Sequence, residues 1–321
     1  MSDLMRVMTV TLNPALDLTV PLEGLRLGAV NKAGGVELRP AGKGVNVAAM
    51  LRLHGVPVSA GGLLPAHDAP VFGAFLDELG IGNAFETIPG RTRINVKLVE
   101  TEISRVTDVN TQGATVPEGT MDRVWARIAK EAPGILVLSG SLPPGLPPET
   151  WAGLVAKGKA AGHIVALDTS GAALAPALAA KPDLIKPNRE ELAAYLGRDL
   201  EGREGLIEAA RALRAQGIAR VVISDGSAGA LFALPQGMVW AKPPKVTLTT
   251  TVGAGDSMVA GLCAAIARGL GPEETARLAT ATAAAAVSRP PGGLPDSDTI
   301  ARLAQAVTVE SLGALLPEGK Y

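Results

Sequence analysis

The chain has 321 residues, of which 47% are hydrophobic and 19% are charged, so a sizeable core is available and a disordered chain is excluded. Thirty basic against 31 acidic residues give a net charge of −1, without a basic stripe, which argues against nucleic acid and membrane as partners. Cys263 is the only cysteine, which excludes an internal disulfide and fits a reducing cytoplasm.

Short runs rich in Val, Ile and Leu alternate with Ala- and Leu-rich stretches of helical period. This order is typical of an α/β fold with a largely parallel sheet covered by helices on both faces. The predicted strands are residues 7–12, 58–64, 135–139, 164–168, 184–186 and 221–224. The predicted helices are residues 45–54, 71–79, 121–130, 148–161, 190–196, 205–215, 257–268 and 273–288.

Two segments interrupt this order, residues 17–40 and 91–112. They contain β-like patches with no helix between them, so we expect them to pair into a small second sheet. A small sheet hinged over the strand ends would act as a lid that excludes water. Because the sequence has neither a low-complexity linker nor an internal repeat, we expect one domain over residues 1–321, with a lid.

Polar motifs follow the predicted strands, at the edge where α/β sheets place their sites. Asp17 comes after the first strand and could accept hydrogen bonds from sugar hydroxyls, although taken alone it is better explained as a turn aspartate. The next motif has three useful residues: Gly42 allows close backbone approach, Lys43 is a cation and Asn46 carries a side-chain amide. Their spacing is not that of a Walker A loop, but they could bind an anionic sugar.

Four further motifs offer donors or carboxylates. Arg93 suits a substrate phosphate, although it could instead be a solvent-exposed arginine of a strand. Ser139 offers a hydroxyl at the end of a predicted strand. Asn188 can cap the following helix, while Glu191 could complete a capping box or organise water around Mg²⁺. The segment 224–229 offers donors to a nucleotide or forms a hairpin turn; it consists of Ser224, Asp225, Gly226, Ser227, Ala228 and Gly229.

The most informative segment is the junction from Thr249 to Met258, where a β-rich run is expected to turn into an apolar helix. Gly253 and Gly255 let backbone N–H groups crowd together beside the positive end of a helix that begins near Asp256. Such a pocket suits a phosphoryl group in transfer. A carboxylate there would repel phosphate unless it faces a hydroxyl to be deprotonated; an ordinary N-cap aspartate is the alternative.

In this order, the motifs resemble the PfkB carbohydrate kinases of the ribokinase-like fold over essentially the whole chain. The signature elements are residues 42–48, 186–191 and 252–257, and residues 11–17, 92–97, 107–110 and 139–145 are most similar to the hexose-phosphate branch, particularly to kinases of fructose 1-phosphate. The resemblance implies a three-layer α/β/α fold with a mostly parallel central sheet and a small β-sheet lid.

The resemblance also implies ATP-dependent conversion of fructose 1-phosphate to fructose 1,6-bisphosphate. Kinases of tagatose 6-phosphate or fructose 6-phosphate are alternatives, and a non-catalytic sugar-phosphate or nucleotide sensor is an alternative of another class. Asp256 would be the general base, and the N–H groups of Gly253, Ala254 and Gly255 would form the anion hole.

The remaining roles are likewise implied by the resemblance. The sugar phosphate would be held by Asp17, Gly42, Lys43, Asn46, Arg93 and Ser139. ATP and Mg²⁺ would be held by Lys186, Asn188, Glu191 and the 224–229 segment, with Glu191 reaching the metal through water. A potassium site and a homodimer formed through the lid are left open.

Overall fold

The computed structural model describes residues 4–100, 102–103, 105–249, 253–289 and 293–313, and within them two sheets and their flanking helices. The strands are β1 (Val7–Thr11), β2 (Ala15–Leu22), β3 (Glu37–Ala41), β4 (Val58–Pro65), β5 (Gly82–Ile88), β6 (Arg93–Glu100), β7 (Arg105–Asn110), β8 (Ile135–Ser139), β9 (Ile164–Asp168), β10 (Leu184–Ile185), β11 (Arg220–Ser224), β12 (Ala230–Leu234), β13 (Gly237–Lys242) and β14 (Thr308–Ser311). The helices are α1 (Lys43–Leu53), α2 (Ala69–Glu78), α3 (Thr120–Ile128), α4 (Thr150–Ala160), α5 (Leu174–Ala179), α6 (Arg189–Leu196), α7 (Gly202–Ala215), α8 (Ala254–Ala267), α9 (Pro272–Ser288) and α10 (Ser297–Ala306).

The large sheet has ten strands in the order β14-β13-β12-β11-β10-β9-β8-β1-β4-β5. Neighbouring strands from β11 to β5 are parallel, whereas β12, β13 and β14 are added antiparallel at one edge. The carboxyl ends of β1, β8, β9, β10 and β11 therefore meet along one side of the sheet, where parallel sheets place their sites.

Helices cover both faces of the large sheet, because its central strands are apolar on both sides. In β1, Val7 packs into one buried cluster, while Met8 and Val10 pack into the other. The first cluster includes side chains of α1, α2, α8, α9 and α10, and the second includes side chains of α3 to α7. The predicted three-layer α/β/α architecture with a mostly parallel central sheet is confirmed.

A small sheet of four strands, in the order β3-β2-β6-β7, contacts the carboxyl side of the large one, where Arg93 of β6 bonds the carbonyl of Asn13 just after β1. Its two faces differ because side chains alternate along each strand. The polar face carries Asp17, Arg39, Arg93, Asn95, Lys97, Asp108 and Asn110. The apolar face carries Leu18, Leu38, Ile94, Val96 and Val109. On the apolar face Leu38 is 51%, Ile94 39% and Val109 50% exposed.

The β-rich run expected at the start of the Thr249–Met258 junction is not a strand at Thr249, and no strand forms over residues 243–249. Two prolines, Pro243 and Pro244, cannot donate to a ladder. Instead, the N–H of Thr249 donates to the carbonyl of Val287 at 2.9 Å, near the end of α9. Residues 250–252, also part of the expected β-rich run, lie outside the described residues.

Four strands of the large sheet, β5 and β12 to β14, and two helices, α5 and α10, lie where no element was predicted. The six predicted strands and eight predicted helices are present with shifts at their ends. None of the helices in the described ranges combines the length and apolar character that a membrane span requires.

Candidate active site

Polar side chains lie at the carboxyl ends of three neighbouring central strands. Thr11 of β1, Ser139 of β8 and Asp168 of β9 are Cα partners in one row across the sheet. Lys186 directly follows β10 and is 5% exposed. This row is the floor of the candidate site.

Helix α1 begins immediately above this floor. Its N-cap, Gly42, has φ 123°, and a Cβ there would lie 2.9 Å from Thr11 Cγ2 and 3.2 Å from Pro14 Cα. Only glycine fits this position, because both the backbone angle and the space exclude a side chain. The tight entry brings Lys43 and Asn46, in the first turn of α1, over the strand ends.

Asp256 lies in the first turn of α8 and is 8% exposed. Its Oδ2 accepts a hydrogen bond of 2.8 Å from Asn46 Nδ2, which fixes one oxygen of the carboxylate. Burial raises the pKa of Asp256 to about 6, with the Asp168 carboxylate adding to the rise and Lys43, Asn46 and Lys186 opposing it. The sequence-predicted Asn46 and Asp256 are thus brought into direct contact.

The N-terminus of α8 makes a corner with Lys186 that could bind an anion. Gly253 is its N-cap in the left-handed conformation, with φ 84°. The first N–H groups of a helix have no acceptor within it, and its dipole favours negative charge there. A Cβ on Gly255 would lie 3.4 Å from Lys186 Nζ, so the absence of a side chain keeps the approach to both groups open.

Asp168 forms ion pairs with two lysines, Lys43 and Lys186. Its Oδ2 lies 3.1 Å from Lys43 Nζ and its Oδ1 lies 3.6 Å from Lys186 Nζ. Burial would raise the pKa of Asp168, but the two lysines reverse the direction and hold it below its ordinary value. For Lys43, burial would lower the pKa, but Asp168 and Asp256 raise it. Lys43 therefore stays charged, and the two ammonium groups lie on opposite oxygens of the same carboxylate.

The polar face of the small sheet supplies the opposite wall. Arg93 Nη2 donates to the carbonyl of Asn13 at 3.2 Å, so its side chain spans from β6 to the end of β1. Among the described residues, Arg93 Nε and Ser139 Oγ are buried without a hydrogen-bond partner. Buried polar groups of this kind point to a missing ligand or water. Asp17, in contrast, already has a partner on each oxygen, Asn95 at 2.9 Å and Lys97 at 3.3 Å.

Asn188 and Glu191 form a complete capping box at the start of α6. The N–H of Glu191 donates to Asn188 Oδ1 at 2.7 Å, and the N–H of Asn188 donates to Glu191 Oε2 at 3.0 Å. Of the two roles predicted for Glu191, the structure contains the capping box. The second carboxylate oxygen of Glu191, Oε1, takes no part in the capping box.

Residues 224–229 connect β11 to β12 as a hairpin loop beside α6. Asn188 and Ser224 form an isolated parallel bridge, so the cap and the loop are neighbours. The Asp225 carboxylate accepts hydrogen bonds from Arg189 on both oxygens, at 2.7 Å each. A nucleotide would meet this loop through its N–H groups and hydroxyls rather than through the Asp225 carboxylate.

Within the described residues, no group of three or more His, Cys, Asp or Glu side chains could hold a metal ion alone. Mg²⁺ does not require such a group, because in kinase sites it keeps several waters and is held by one or two carboxylates plus substrate phosphates.

Several residues in or beside the site were not predicted from the sequence. They are Asp168, Asn95, Lys97 and Arg39, whose Nη2 lies 3.5 Å from Asn46 Oδ1. Asp168 had a usable signal, since it is a carboxylate at the carboxyl end of a predicted strand. Asn95 and Lys97 alternate with apolar residues in a predicted β patch, which placed them on one face without showing what they contact.

The fold and the position of the site, at the carboxyl side of a parallel sheet and under a second sheet, are those of the ribokinase-like class. The chain belongs to the pfkB family of carbohydrate kinases, whose family model matches residues 10–299.

Several relatives of the chain are 1-phosphofructokinases. The chain is 43% identical over 311 residues to the 1-phosphofructokinase of Rhodobacter capsulatus, covering 96% of this chain and 98% of the relative. It is 42% identical over 311 residues to the 1-phosphofructokinase of Escherichia coli K12, covering 95% and 98%.

Among solved structures, the chain is similar to phosphofructokinase-2 from Escherichia coli in complex with substrates and products. The TM-score is 0.89 at 28% identity, covering 94% of this chain and 99% of the other. Structures of that enzyme with potassium (TM-score 0.88, 29% identity) and in a tetrameric inhibited form (TM-score 0.87, 28% identity) cover the same shares.

Proposed function

We propose that the chain is an ATP-dependent kinase that converts fructose 1-phosphate to fructose 1,6-bisphosphate. One observation carries the proposal: a buried carboxylate of raised pKa, Asp256, lies in the first turn of α8, where a phosphoryl group can bind. The similarity to 1-phosphofructokinases over nearly the whole chain supports the choice of substrate.

In the proposed reaction, Asp256 takes the proton from the 6-hydroxyl of the sugar as that oxygen forms its bond to the transferred phosphorus. Asn46 holds Oδ2, so Oδ1 is the oxygen that receives the proton. The bond between that phosphorus and the leaving ADP oxygen breaks. The N–H groups of Gly253, Ala254 and Gly255 form the anion hole, where fixed donors meet the charge that develops.

The lysines and the opposite wall have supporting roles in the proposal. Lys43 and Lys186, both held by Asp168, neutralise phosphate charge near the reacting atoms. Arg93 and Ser139 offer unpartnered buried groups to the sugar phosphate, together with Gly42, Asp17 and Asn46. The small sheet acts as the lid.

ATP and Mg²⁺ fit the second half of the site. Asn188, Glu191 and the 224–229 loop adjoin Lys186, and Glu191 Oε1 is the oxygen proposed to reach hydrated Mg²⁺. When bound, the metal ion neutralises charge on the transferred phosphate. Potassium is proposed only from its complex with Escherichia coli phosphofructokinase-2, and an assay in potassium against tetramethylammonium salts tests it.

The rate should depend on the protonation of Asp256. Only the ionised carboxylate can accept a proton, so kcat/KM should rise as pH increases through about 6 and level off above it. Burial and the charge of Arg268 lower the pKa of His54 to about 4, so His54 does not account for a rise of kcat/KM near pH 6. A pH profile of kcat/KM tests the prediction, with exposed His67→Gln as the control that keeps the limb. A limb near the ordinary carboxyl value of 3.8 would contradict it.

An ADP-release assay with a panel of acceptors tests the proposed substrate. The panel contains fructose 1-phosphate, fructose 6-phosphate, tagatose 6-phosphate and fructose. We expect fructose 1-phosphate to give the highest kcat/KM. A preference for fructose 6-phosphate or tagatose 6-phosphate would select one of the alternative kinases, a preference for fructose would refute the phosphate role of Arg93, and binding without turnover would favour a sensor.

We also propose that the chain is one cytoplasmic kinase domain that pairs through the lid. The exposed apolar face of the small sheet, including Leu38 and Val109, supports a second copy of this chain as its cover. Escherichia coli phosphofructokinase-2 has a tetrameric form, so the mass of the protein in solution decides between monomer, dimer and tetramer.

A further inference from the structure

Asn95 presents a buried hydrogen-bond acceptor that the chain itself does not use. It lies on β6, on the polar face of the small sheet, and its Nδ2 donates to Asp17 Oδ1 at 2.9 Å. Among the described residues, no donor reaches its Oδ1, which is inaccessible to solvent. Buried polar atoms without a partner are rare in native proteins and call for an explanation.

The orientation of this amide is fixed by its neighbours. A carboxylate only accepts hydrogen bonds, so Asp17 requires the NH₂ end of Asn95, and a flipped amide would set oxygen against oxygen. Asp17 cannot turn away, because Lys97 Nζ lies 3.3 Å from its Oδ2. Lys97 is in turn 3.4 Å from Asp108 Oδ1. Asn95 Oδ1 can therefore act only as an acceptor, and its missing partner must be a donor.

The position of Asn95 relates it to the reacting carboxylate. Arg39, Asp17 and Asn95 are Cα partners in one row across β3, β2 and β6. Arg39 reaches Asn46 at 3.5 Å, and Asn46 binds Asp256. Two strand spacings, roughly 10 Å, separate Arg39 from Asn95 along this row. A hexose phosphate has the length to extend across it.

We propose that Asn95 is a specificity-determining residue whose amide oxygen accepts a hydrogen bond from an acceptor-sugar hydroxyl other than the one phosphorylated. This inference rests on the proposed function and deepens it, because it names a group on the substrate that the site requires. A site built to hydrogen-bond a hydroxyl discriminates against an analogue that lacks it, since its buried group is then left unpaired.

Deoxy analogues of fructose 1-phosphate test this assignment in combination with Asn95→Ala. The wild-type enzyme should lose about tenfold in kcat/KM for one analogue, 3-deoxy or 4-deoxy, relative to the parent sugar. In Asn95→Ala, the parent should lose a similar factor, whereas the ratio of parent to that analogue should shrink to about twofold or less. Asn110→Ala is the matched control, because Asn110 is the exposed Cα partner of Asn95 on β7.

The outcomes separate this assignment from the proposed function. An active wild type whose analogue ratios are the same in Asn95→Ala overturns the assignment alone, since a purely structural role lowers all rates together. A wild type that phosphorylates none of the hexose phosphates overturns the proposed function and the assignment with it. Thermal unfolding establishes that the variant is folded, and Asn95→Ser replaces Asn95→Ala if it is not.

Discussion

Replacing Asp256 by Asn should lower kcat by about 10²–10⁴-fold while leaving the KM values for sugar phosphate and ATP within about threefold. The amide has nearly the same shape, but it cannot take a proton from the sugar hydroxyl. Its oxygen can still accept the hydrogen bond from Asn46 that Oδ2 accepts at 2.8 Å in the native enzyme. Steady-state ADP release measures kcat, and calorimetry measures sugar-phosphate binding.

The control for Asp256→Asn is Asp77→Asn, which makes the same chemical change at an exposed position of α2. The control should keep kcat within about twofold, because surface substitutions away from special features have small effects. A kcat loss of less than about tenfold in Asp256→Asn would show that another group removes the proton. The pH limb near 6 should also disappear from the residual activity of this variant.

Asp168→Asn should destabilise the fold by about 3 kcal/mol, the lower end of the range for breaking a buried ion pair, and should raise the KM for ATP. The neutral amide leaves Lys186, whose side chain is only 6% exposed, without its carboxylate. Lys43 loses its partner as well, but its side chain is 35% exposed, so water replaces part of that interaction. Urea denaturation at pH 7 measures the change in stability.

The same residue predicts a pH dependence of stability. Burial alone would raise the pKa of Asp168, but Lys186 and Lys43 lower it below the ordinary 3.8, so the ionised form is favoured in the folded state. The stabilisation that ionised Asp168 gives to the fold is complete above the carboxyl pKa of the unfolded chain. It is lost as the pH falls through the lower pKa of Asp168 in the folded chain. Asp168→Asn should remove this acid-dependent loss.

The control is Asp122→Asn, because Asp122 is 86% exposed and lies 3.7 Å from Lys157 in a surface pair. Its loss should stay below about 1 kcal/mol. A similarly small loss for Asp168→Asn would mean that the two lysines do not depend on this carboxylate.

The central strands could be predicted from the sequence because they are buried on both faces and therefore form short continuous apolar runs. β1 and β8 are examples in which every residue is buried. The edge strand β5 could not be recognised in this way, since only Phe85 and Ile88 are buried in it. β14 has no buried residue at all and pairs only with β13. β5 and β14 lack the pattern on which such predictions depend, whereas β12 is buried at every residue, so exposure does not explain why β12 was not predicted.

In the candidate site too, some residues could be predicted from local sequence and others could not. Gly42, Gly253 and Asp256 lie in glycine motifs whose spacing is visible in the sequence, and the structure brings the starts of α1 and α8 together through the Asn46–Asp256 hydrogen bond. Asn95 is 78 residues from Asp17, and Asp168 is 125 residues from Lys43, so their contacts follow from the order of the strands. Local sequence patterns carry no information about pairings at that separation.

The alternation of side chains in β6 also limits how this enzyme can change. Its polar residues alternate with its apolar ones: Arg93, Asn95 and Lys97 against Ile94, Val96 and Leu98. Inserting or deleting one residue would exchange the two faces, turning charges outward and placing aliphatic side chains over the strand ends. Substitutions at every second position of β6 can therefore change the polar face without disturbing the apolar one. Insertions and deletions are tolerated only in the connecting loops. Directed evolution of this sheet should use substitution libraries of that spacing rather than insertions.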